Sequence, residues 1–307
     1  MPINLSPAVP ISYWVQAARL KFLPQGVLPV LIGSAAAFSE GSFNFFYFLL
    51  AFLAAAAVQI ALTMFNDTLD FQYGTDRSEV SAKNPFSGGS GVLASGYIRP
   101  RQAMQVIIGL YLLALVIGVY FALVAGIASL AIAGVGAVIS ITYSAKPFRL
   151  AYRGLGELAM LIGYGPVITA WVYYIYSGAL TSNILLIGMI PGLCMWTMIL
   201  INEIPDYAED RAAGKRNLTY RLGLSRAKNL FIVSLGVIYV YTAILIITGF
   251  LPVPAVLVFA GMPLALVAAK VAHRHYADPL RVSEANRYMV MVYSVTNLSV
   301  ALGLLLG

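Results

Sequence analysis

The amino-acid sequence predicts an all-α polytopic membrane protein, a bundle of nine transmembrane helices with cap loops on the cytoplasmic side. Of its 307 residues, 60% are hydrophobic and only 10% are charged, and the mean hydropathy is +0.84. A soluble core of this length would carry more charge, and runs of about 20 apolar residues are long enough to cross the hydrocarbon layer of a bilayer. The single cysteine, Cys194, lies in an apolar segment, so no disulfide framework or thiolate metal site can form within the chain.

Apolar runs of spanning length follow one another along the chain. The first run comes after Arg19 and Lys21 and lacks the cleavage pattern of a secretory signal, so we interpret it as the first spanning helix. We expect a single integral-membrane domain over residues 1–307, in which short outer turns and long inner loops connect the helices. The predicted spans are 22–39, 45–66, 102–123, 126–144, 156–177, 183–204, 229–249, 254–273 and 287–306.

The distribution of charge predicts the orientation. With a cytoplasmic N-terminus, all 19 Lys and Arg residues fall on the cytoplasmic side, and of the 12 acidic residues only Glu40 falls outside. Topology therefore explains the net charge of +7, and we expect no nucleic-acid partner. We predict a multi-pass protein of the cell (inner) membrane whose active site faces the cytoplasm, in the long loops at about 67–101 and 205–228.

Carboxylates are concentrated where the second predicted helix leaves the membrane. Asp67 and Asp70 share one face if that helix continues, and Asp76 follows Gly74, which allows the backbone to turn back. Charged groups at this place are costly unless they have a function, and hard carboxylate oxygens are typical ligands of Mg²⁺. This stretch alone is compatible with two interpretations, a divalent-metal site and a solvated acidic loop.

A second acidic stretch ends the sixth predicted helix on the same side. Asp206 and Asp210 are four residues apart and share a helix face, and Pro205 predicts that the helix kinks or ends beside them. Asn66 and Asn202 introduce the two stretches in the same way, so the stretches are similar elements. We therefore predict that the acidic residues of both stretches hold divalent ions. The two asparagines either are further ligands or form hydrogen bonds with backbone groups at the helix ends.

A substrate with a diphosphate would need positive charge beyond two Mg²⁺ ions, because four to six carboxylates roughly balance those ions. Arg grips phosphate with a bidentate fork, whereas Lys acts as a point charge. Ordinary positive-inside topology is the alternative explanation for each basic residue. The basic candidates for substrate binding are Arg19, Lys21, Arg77, Lys83, Arg149, Lys215 and Arg216, and Lys146 and Arg153 are candidates for a catalytic role.

The two acidic stretches resemble the aspartate-rich motifs of the UbiA superfamily of intramembrane prenyltransferases, and the nine-helix count fits that family. The resemblance covers most of the chain, from Ala18 to Gly223. The family's patterns, Asn-Asp-x-x-Asp with a third Asp and Asp-x-x-x-Asp, match Asn66, Asp67, Asp70 and Asp76 in the first stretch and Asp206 and Asp210 in the second.

The details look most like the branch that prenylates 1,4-dihydroxy-2-naphthoate in menaquinone synthesis. The third Asp lies six residues after Asp70, with Gly74 between them, whereas the 4-hydroxybenzoate branch tends to place it four residues after. Glu203 departs from the pattern, because an Asn is common at its position. Further matches to the naphthoate branch are Tyr143-Ser144-x-x-Pro147, Tyr152-Arg153-Gly154-Leu155-Gly156-Glu157 and Asp210-Arg211-x-x-Gly214-Lys215-x-Asn217-Leu218.

The resemblance implies transfer of a prenyl chain from an allylic polyprenyl diphosphate to 1,4-dihydroxy-2-naphthoate, with decarboxylation. Asp67, Asp70, Asp206 and Asp210, with Asp76 assisting, would hold two Mg²⁺ ions that bridge the diphosphate, so that the C–O bond ionises. The apolar bundle would accept the isoprenoid tail and keep water from the allylic cation. Candidate aromatic residues to stabilise that cation are Tyr143, Tyr164 and Phe65, whereas Trp171, Tyr173, Tyr174 and Tyr176 are expected in an external interfacial belt.

Other functions stay open at this point. Within the superfamily the acceptor could instead be 4-hydroxybenzoate, homogentisate, chlorophyllide, the glycerol phosphate of an ether lipid, or haem. A cation transporter would need acidic residues near the middle of broken helices, and none of the predicted helices has one. Phospholipid synthesis from a cytidine-diphosphate donor is a weaker alternative, because its acidic motif has a different spacing. The tail length and the oligomeric state are not determined by the sequence.

Overall fold

The fold is a bundle of long apolar helices. The computed structural model describes residues 9–74 and 89–307, and within these ranges the regular secondary structure is helical without strands. The α-helices are α1 (Ile11–Ala18), α2 (Leu23–Ser39), α3 (Phe45–Tyr73), α4 (Pro100–Ala125), α5 (Ile127–Ser144), α6 (Gly156–Ile162), α7 (Ile168–Ser177), α8 (Ser182–Glu203), α9 (Tyr207–Ala212), α10 (Leu218–Leu222), α11 (Leu224–Ile247), α12 (Met262–His275) and α13 (Pro279–Leu306).

Nine segments of the described chain are long and apolar enough to cross a membrane, which confirms the predicted fold class and the number of spans. Three spans are composite. The first joins α1 and α2 through a turn at Arg19, where φ is 46°. The fifth joins α6 and α7 through a π-helical turn at Gly163–Val167, and the eighth begins with a 3₁₀ segment at Val253–Gly261.

The helix α3 extends further than its predicted span. It continues past residue 66 to Tyr73 and ends at Gly74, whose φ of 89° is accessible to glycine at little cost. Asp67 and Asp70 therefore lie within the last turns of the helix. Because they belong to one regular helix, the first acidic stretch lies in line with the polar residues one and two turns before it.

The bundle has an enclosed centre and a lipid-facing side. The helix α8 contacts α2, α6, α7, α11 and α13, whereas α4 and α5 expose most of their surface. Trp171 and Tyr173, which the sequence placed in an interfacial belt, are 7% and 4% exposed. They pack inside the bundle, so that prediction is wrong for these two residues.

The connections after α5 and α8 lie at the same end of the bundle as the last turns of α3. After α5 the chain forms a short 3₁₀ turn at Leu150–Tyr152, and after α8 it forms α9 and α10. The backbone N–H of Arg216 donates to the carbonyl of Tyr152 at 3.1 Å, which ties the two connections together. These segments surround a cavity at this end of the bundle.

Candidate active site

Both acidic stretches contribute to one cavity, which we call the polar cavity. It has a volume of about 930 Å³, including the space at its open mouth. Asn66 and Asp70 line it from α3, Asn202 lines it from the end of α8, and Asp206 and Asp210 line it from the start of α9. The two predicted halves of the site are thus adjacent in the structure.

The first half of the site is held in place by hydrogen bonds to Asp70 and Asn66. The Asn66 amide donates to Asp70 Oδ2 at 3.1 Å, and the Tyr152 hydroxyl donates to Asp70 Oδ1 at 2.6 Å. The Ser144 hydroxyl, at the end of α5, donates to Asn66 Oδ1 at 2.7 Å. The orientation of the Asp70 carboxylate is therefore set by residues from three different segments.

Asp67 has different surroundings from Asp70. Its carboxylate is buried and accepts hydrogen bonds from the backbone N–H of Ser90 at 2.9 Å and from the Ser90 hydroxyl at 2.5 Å. The Gln16 amide donates in turn to the Ser90 carbonyl at 2.9 Å. Asp67 does not line the polar cavity, and in this structure it connects α3 to the segment that precedes α4.

In the second half of the site, Asp210 is held by a hydrogen bond and an ion pair. It accepts a hydrogen bond from the Asn217 amide at 2.7 Å and forms an ion pair with Lys215 at 3.3 Å. Burial raises the pKa of the Asp210 carboxyl, and the Lys215 ammonium acts in the opposite direction. Burial alone would lower the pKa of Lys215, but the carboxylates of Asp210 and Asp70 outweigh it and hold that pKa well above its usual range. Lys215 therefore stays positively charged beside the acids.

A pair of glutamates anchors the segment that follows α9. The Glu157 carboxylate accepts from the backbone N–H of Leu218 at 2.6 Å, and the Glu203 carboxylate accepts from that of Thr219 at 3.3 Å. These N–H groups belong to the first turn of α10, which has no earlier helical residues to bond with. Glu203 also lines the polar cavity, so it acts both as an anchor and as a wall residue.

The predicted basic residues fall into groups. Arg19 and Lys215 line the polar cavity, and the Arg19 guanidinium lies 4.6 Å from the centre of the Phe22 ring. Lys21 lies over the same ring at 5.1 Å, and Arg216 is exposed; neither lines the cavity. The predicted residues Asp76, Arg77 and Lys83 lie outside the described part of the chain.

The segment after α5 holds its basic residues beside the polar cavity without bringing them into its wall. The Arg149 guanidinium stacks at 3.6 Å on the ring of Tyr152, the residue that donates to Asp70. Its Nε is buried and has no hydrogen-bond partner among the described residues. Lys146 lies 5.3 Å from the Tyr73 ring, and Arg153 donates to the carbonyl of Pro147 at 2.7 Å.

A second cavity, which we call the apolar cavity, lies next to the first. It has a volume of about 1510 Å³ and is enclosed mainly by apolar side chains of α3 to α7. Its wall on α4 includes Ile108, Leu112 and Leu115, which are each about half exposed, so the cavity reaches the lipid-facing surface of the bundle. Four residues line both cavities: Gln59, Leu62, Met160 and Tyr164.

The donor atoms around the polar cavity fit Mg²⁺ by their chemistry. Carboxylate and amide oxygens from Asn66, Asp70, Asn202, Asp206 and Asp210 are hard ligands of the kind that Mg²⁺ prefers. Among the residues that the structure describes, however, no three His, Cys, Asp or Glu side chains are grouped closely enough to form a ready-made metal site.

Several supporting residues were not identified from the sequence as parts of the site. Ser144, Tyr152 and Asn217 lie within the motifs quoted above, so the family pattern contained a signal for them. Asn286, whose amide donates to Asn202 Oδ1 at 2.7 Å, lies on α13 in no such motif. The sequence contains no local signal for that contact.

The fold and the site define an intramembrane protein with a polar, metal-compatible cavity joined to an apolar one. The chain belongs to the UbiA prenyltransferase family, whose family model matches residues 26–294. The resemblance seen in the sequence is thereby confirmed, and the cation-transporter alternative loses its support.

Named relatives are similar over most of their length. The chain is 26% identical over 293 residues to the 2-carboxy-1,4-naphthoquinone phytyltransferase of Synechocystis sp., covering 94% of this chain and 92% of the relative. It is 27% identical over 255 residues to the 1,4-dihydroxy-2-naphthoate octaprenyltransferase of Bacillus subtilis, covering 83% of this chain and 80% of that protein.

Solved structures share the fold at low sequence identity. A UbiA homolog from Aeropyrum pernix K1 superimposes with a TM-score of 0.66 at 18% identity, covering 91% of this chain and 98% of the other. A UbiA homolog from Archaeoglobus fulgidus bound to GPP and Mg²⁺ gives a TM-score of 0.58 at 15% identity, covering 92% and 99%.

Proposed function

We propose that this protein transfers a prenyl chain from an allylic polyprenyl diphosphate to 1,4-dihydroxy-2-naphthoate, in the synthesis of menaquinone. In this reaction the C–O bond to the diphosphate breaks and its electron pair leaves with the diphosphate. A C–C bond forms between the allylic carbon and the aromatic ring, and the ring loses its carboxylate as CO₂. The observation that carries the proposal is the junction of the polar cavity with the apolar cavity, which matches a substrate with a charged head and a hydrocarbon tail.

The acids of the two motifs are the proposed ligands of two Mg²⁺ ions. Asp70, Asp206 and Asp210 already line the polar cavity, together with Asn66 and Asn202. Asp67 and Asp76 complete the proposed set, and Asp67 would have to exchange a Ser90 hydrogen bond for the metal. Mg²⁺ bound there supplies positive charge against the charge that develops on the leaving diphosphate.

Basic residues at the polar cavity are proposed to bind the diphosphate. Lys215 and Arg19 line the cavity, and the high pKa of Lys215 keeps it protonated at neutral pH. Arg149 lies behind this wall, stacked on Tyr152, and is proposed to add positive charge beside the site. Lys146 and Arg153, on the same segment, are the positively charged residues that we propose to have a catalytic role. Lys21, Arg77, Lys83 and Arg216 are proposed to contribute to the positive field at the mouth.

The apolar cavity is the proposed site of the prenyl tail. Its walls are mainly apolar, so they favour a hydrocarbon and disfavour water that would capture an allylic cation. Because the cavity reaches the lipid-facing side of α4, a tail longer than the cavity would continue into the bilayer. The names of the relatives support the naphthoate as acceptor, and the one-sided charge distribution supports a cytoplasmic site.

The test is a reconstituted reaction with a panel of acceptors. Protein in detergent or lipid is incubated with a labelled allylic prenyl diphosphate and either 1,4-dihydroxy-2-naphthoate, 4-hydroxybenzoate or homogentisate, with Mg²⁺ or EDTA, and the lipid product is identified by mass. We expect product with the naphthoate and Mg²⁺ only. Full activity in EDTA would contradict the mechanism. Product with 4-hydroxybenzoate alone would show that 4-hydroxybenzoate, and not the naphthoate, is the acceptor.

Two variants and one control connect the activity to the site. Asp70→Asn and Asp210→Asn are expected to reduce the rate by about 100-fold or more, since even the residues that only support metal ligands typically contribute about 10–100-fold. Asp278→Asn is the matched control, because Asp278 caps the exposed start of α13 and Asn caps helices equally well. An equal loss of activity in the control would point to folding rather than chemistry, and wild-type activity in the two site variants would contradict their proposed role.

A further inference from the structure

The reacting bond can be located from the positions of the two cavities, given the proposed function. In an allylic diphosphate, the bond that breaks joins the charged head to the first carbon of the hydrocarbon chain. If the head occupies the polar cavity and the tail the apolar cavity, that carbon lies where the two meet. The residues at this junction, Gln59, Leu62, Met160 and Tyr164, are therefore the ones that surround the allylic carbons.

Two of these four residues form a buried polar pair. The Tyr164 hydroxyl donates to Gln59 Oε1 at 2.6 Å, and Tyr164 and Gln59 are 6% and 4% exposed. The Gln59 amide donates in turn to Thr63 Oγ1 at 3.3 Å. Because Tyr164 gives its hydrogen to Gln59, the lone pairs of its own oxygen stay available to a positive centre. Burying polar groups beside an apolar cavity is costly unless they are hydrogen-bonded, as this pair is, and the pair places an oxygen with free lone pairs at the junction.

The backbone holds Tyr164 in this place through an unusual helical turn. Tyr164 lies in the π-helical segment Gly163–Val167, and such segments are frequent at functional sites. The next residue, Gly165, packs directly on α8, since a Cβ there would lie 2.6 Å from the carbonyl oxygen of Gly188. The contact leaves the turn little room to move.

The Gln59 side chain packs closely against the backbone of α2 at Gly26. A Cβ on Gly26 of α2 would lie 2.8 Å from Gln59 Cβ and 3.0 Å from its Oε1. Glycine at this position thus leaves space for the Gln59 side chain and confines it. The pair is therefore preorganised, which is the condition under which fixed dipoles stabilise developing charge.

We propose that Tyr164 is a catalytic residue that contacts the allylic carbons as the C–O bond breaks, and that Gln59 is a positioning residue that orients it. The electron-rich ring and oxygen of Tyr164 stabilise the cation. The pair also directs the fate of that cation. It is captured either by the acceptor carbon, which gives the prenylated ring, or by water, which gives the prenyl alcohol and a proton.

The experiment compares four variants in the reaction described above, at saturating Mg²⁺ and acceptor. The variants are Tyr164→Phe, Tyr164→Leu, Gln59→Leu and the control Tyr241→Phe. The control also removes a tyrosine hydroxyl that donates a hydrogen bond, here to the Leu186 carbonyl at 2.9 Å, but Tyr241 lines neither cavity. The readouts are kcat, KM for the diphosphate, and the ratio of prenyl alcohol to prenylated product.

We expect kcat to fall about 30-fold in Tyr164→Leu, as for loss of a desolvated cation–π contact. In Tyr164→Phe and Gln59→Leu we expect a fall of about 3- to 10-fold, as for loss of one hydrogen-bonding group. The alcohol ratio should rise in all three while KM stays nearly constant, and the control should match the wild type.

Wild-type kcat and alcohol ratio in Tyr164→Leu would overturn the inference, as would a change confined to KM. If Tyr164→Leu does not fold, Tyr164→Phe decides through the alcohol ratio, because it keeps the ring. Failure of the proposed function is a separate result, namely a wild-type protein that makes no prenylated product with any acceptor.

Discussion

At the residue scale, the two motif asparagines are oriented in the same way. Asn66 Oδ1 accepts from Ser144, and Asn202 Oδ1 accepts from Asn286, so each asparagine oxygen is aligned by a donor from another helix. An amide oxygen has two lone pairs and can accept one hydrogen bond while it also binds a cation. Donors of this kind usually fix the direction of a metal ligand.

A substitution of Asn286 tests this role. Asn286→Leu removes the donor to Asn202 at nearly constant volume, and we expect the Mg²⁺ concentration for half-maximal activity to rise about 10-fold. Asn297→Leu is the control, because Asn297 is equally buried on the same helix but bonds only within it, to the Tyr293 carbonyl. The measurement is the activity of both variants as a function of Mg²⁺ concentration. If the half-maximal concentration rises equally in both, the effect belongs to α13 as a whole and not to the contact with Asn202.

Lys215 combines a structural contact with a proposed contact to substrate. Lys215→Met removes the ion pair with Asp210 and one positive charge from the polar cavity. We expect KM for the diphosphate to rise about 10- to 100-fold, as for the loss of one charged hydrogen bond. Lys215→Arg should recover part of the loss. The control Lys270→Met changes an exposed residue of α12 and should leave KM unchanged.

At the element scale, close glycine contacts join the fifth span to α8. A Cβ at Gly192 would lie 2.5 Å from the carbonyl oxygen of Leu161, and one at Gly165 would lie 2.7 Å from Gly192 Cα. In lipid, where apolar surface gains little from burial against another helix, such close backbone approach is a main source of association. The contact also supports the π-helical turn that carries Tyr164.

Replacement of one of these glycines is expected to destabilise the bundle. Gly192→Ala forces the two backbones apart and should cost about 1–3 kcal/mol, the usual range for an overpacked core. The measurement is the thermal unfolding midpoint in detergent. Gly236→Ala on α11 is the control, since a Cβ there meets nothing within 4 Å, and its midpoint should stay constant or rise slightly because Ala favours helix. Equal midpoints for the two variants would refute the contact's role.

At the scale of the whole molecule, charge and hydropathy define one working end. All 19 basic residues of the sequence fall on one side of the predicted spans, and the polar cavity lies at that end. A charge bias of this strength normally places the basic side in the cytoplasm. Both acidic motifs should then meet their substrates from the cytoplasmic side.

The orientation can be measured with single cysteines. The native Cys194 is completely buried and should not react. Ser182→Cys, at the end of the bundle away from the motifs, should react with a membrane-impermeant thiol reagent in intact cells, whereas Ser225→Cys, at the motif end, should react only after permeabilisation. Both serines are exposed, so each is a control for the other. The reverse pattern would place the site outside.

Much of the architecture and half of the site could be predicted because both depend on local patterns. The length of an apolar run determines whether it can span a bilayer, and nine such runs agree with the nine spans of the described chain. The spacing of Asp206 and Asp210, and of Asp67 and Asp70, predicts that each pair lies on one helix face. Asp206, Asp210 and Asp70 do line one cavity, whereas Asp67 does not.

Two errors have a physical cause that the sequence could not remove. Trp171 and Tyr173 are buried, and the sequence pattern did not show this. The interior of a membrane protein is as apolar as the lipid around it, so hydropathy does not distinguish the two faces of a helix. Asp67 pairs with Ser90, 23 positions later in the chain, and such a distant partner is a tertiary contact. Neither fact follows from composition or spacing.

The sequence by itself determined the class of fold, the number of spans and the two acidic motifs, because each is a property of neighbouring residues. Only the tertiary structure decided which groups orient those motifs and which residues lie where the two cavities meet. Tyr152 reaches Asp70 across 82 positions, Asn286 reaches Asn202 across 84 and Tyr164 reaches Gln59 across 105. Such contacts arise from helix packing, which no local pattern encodes.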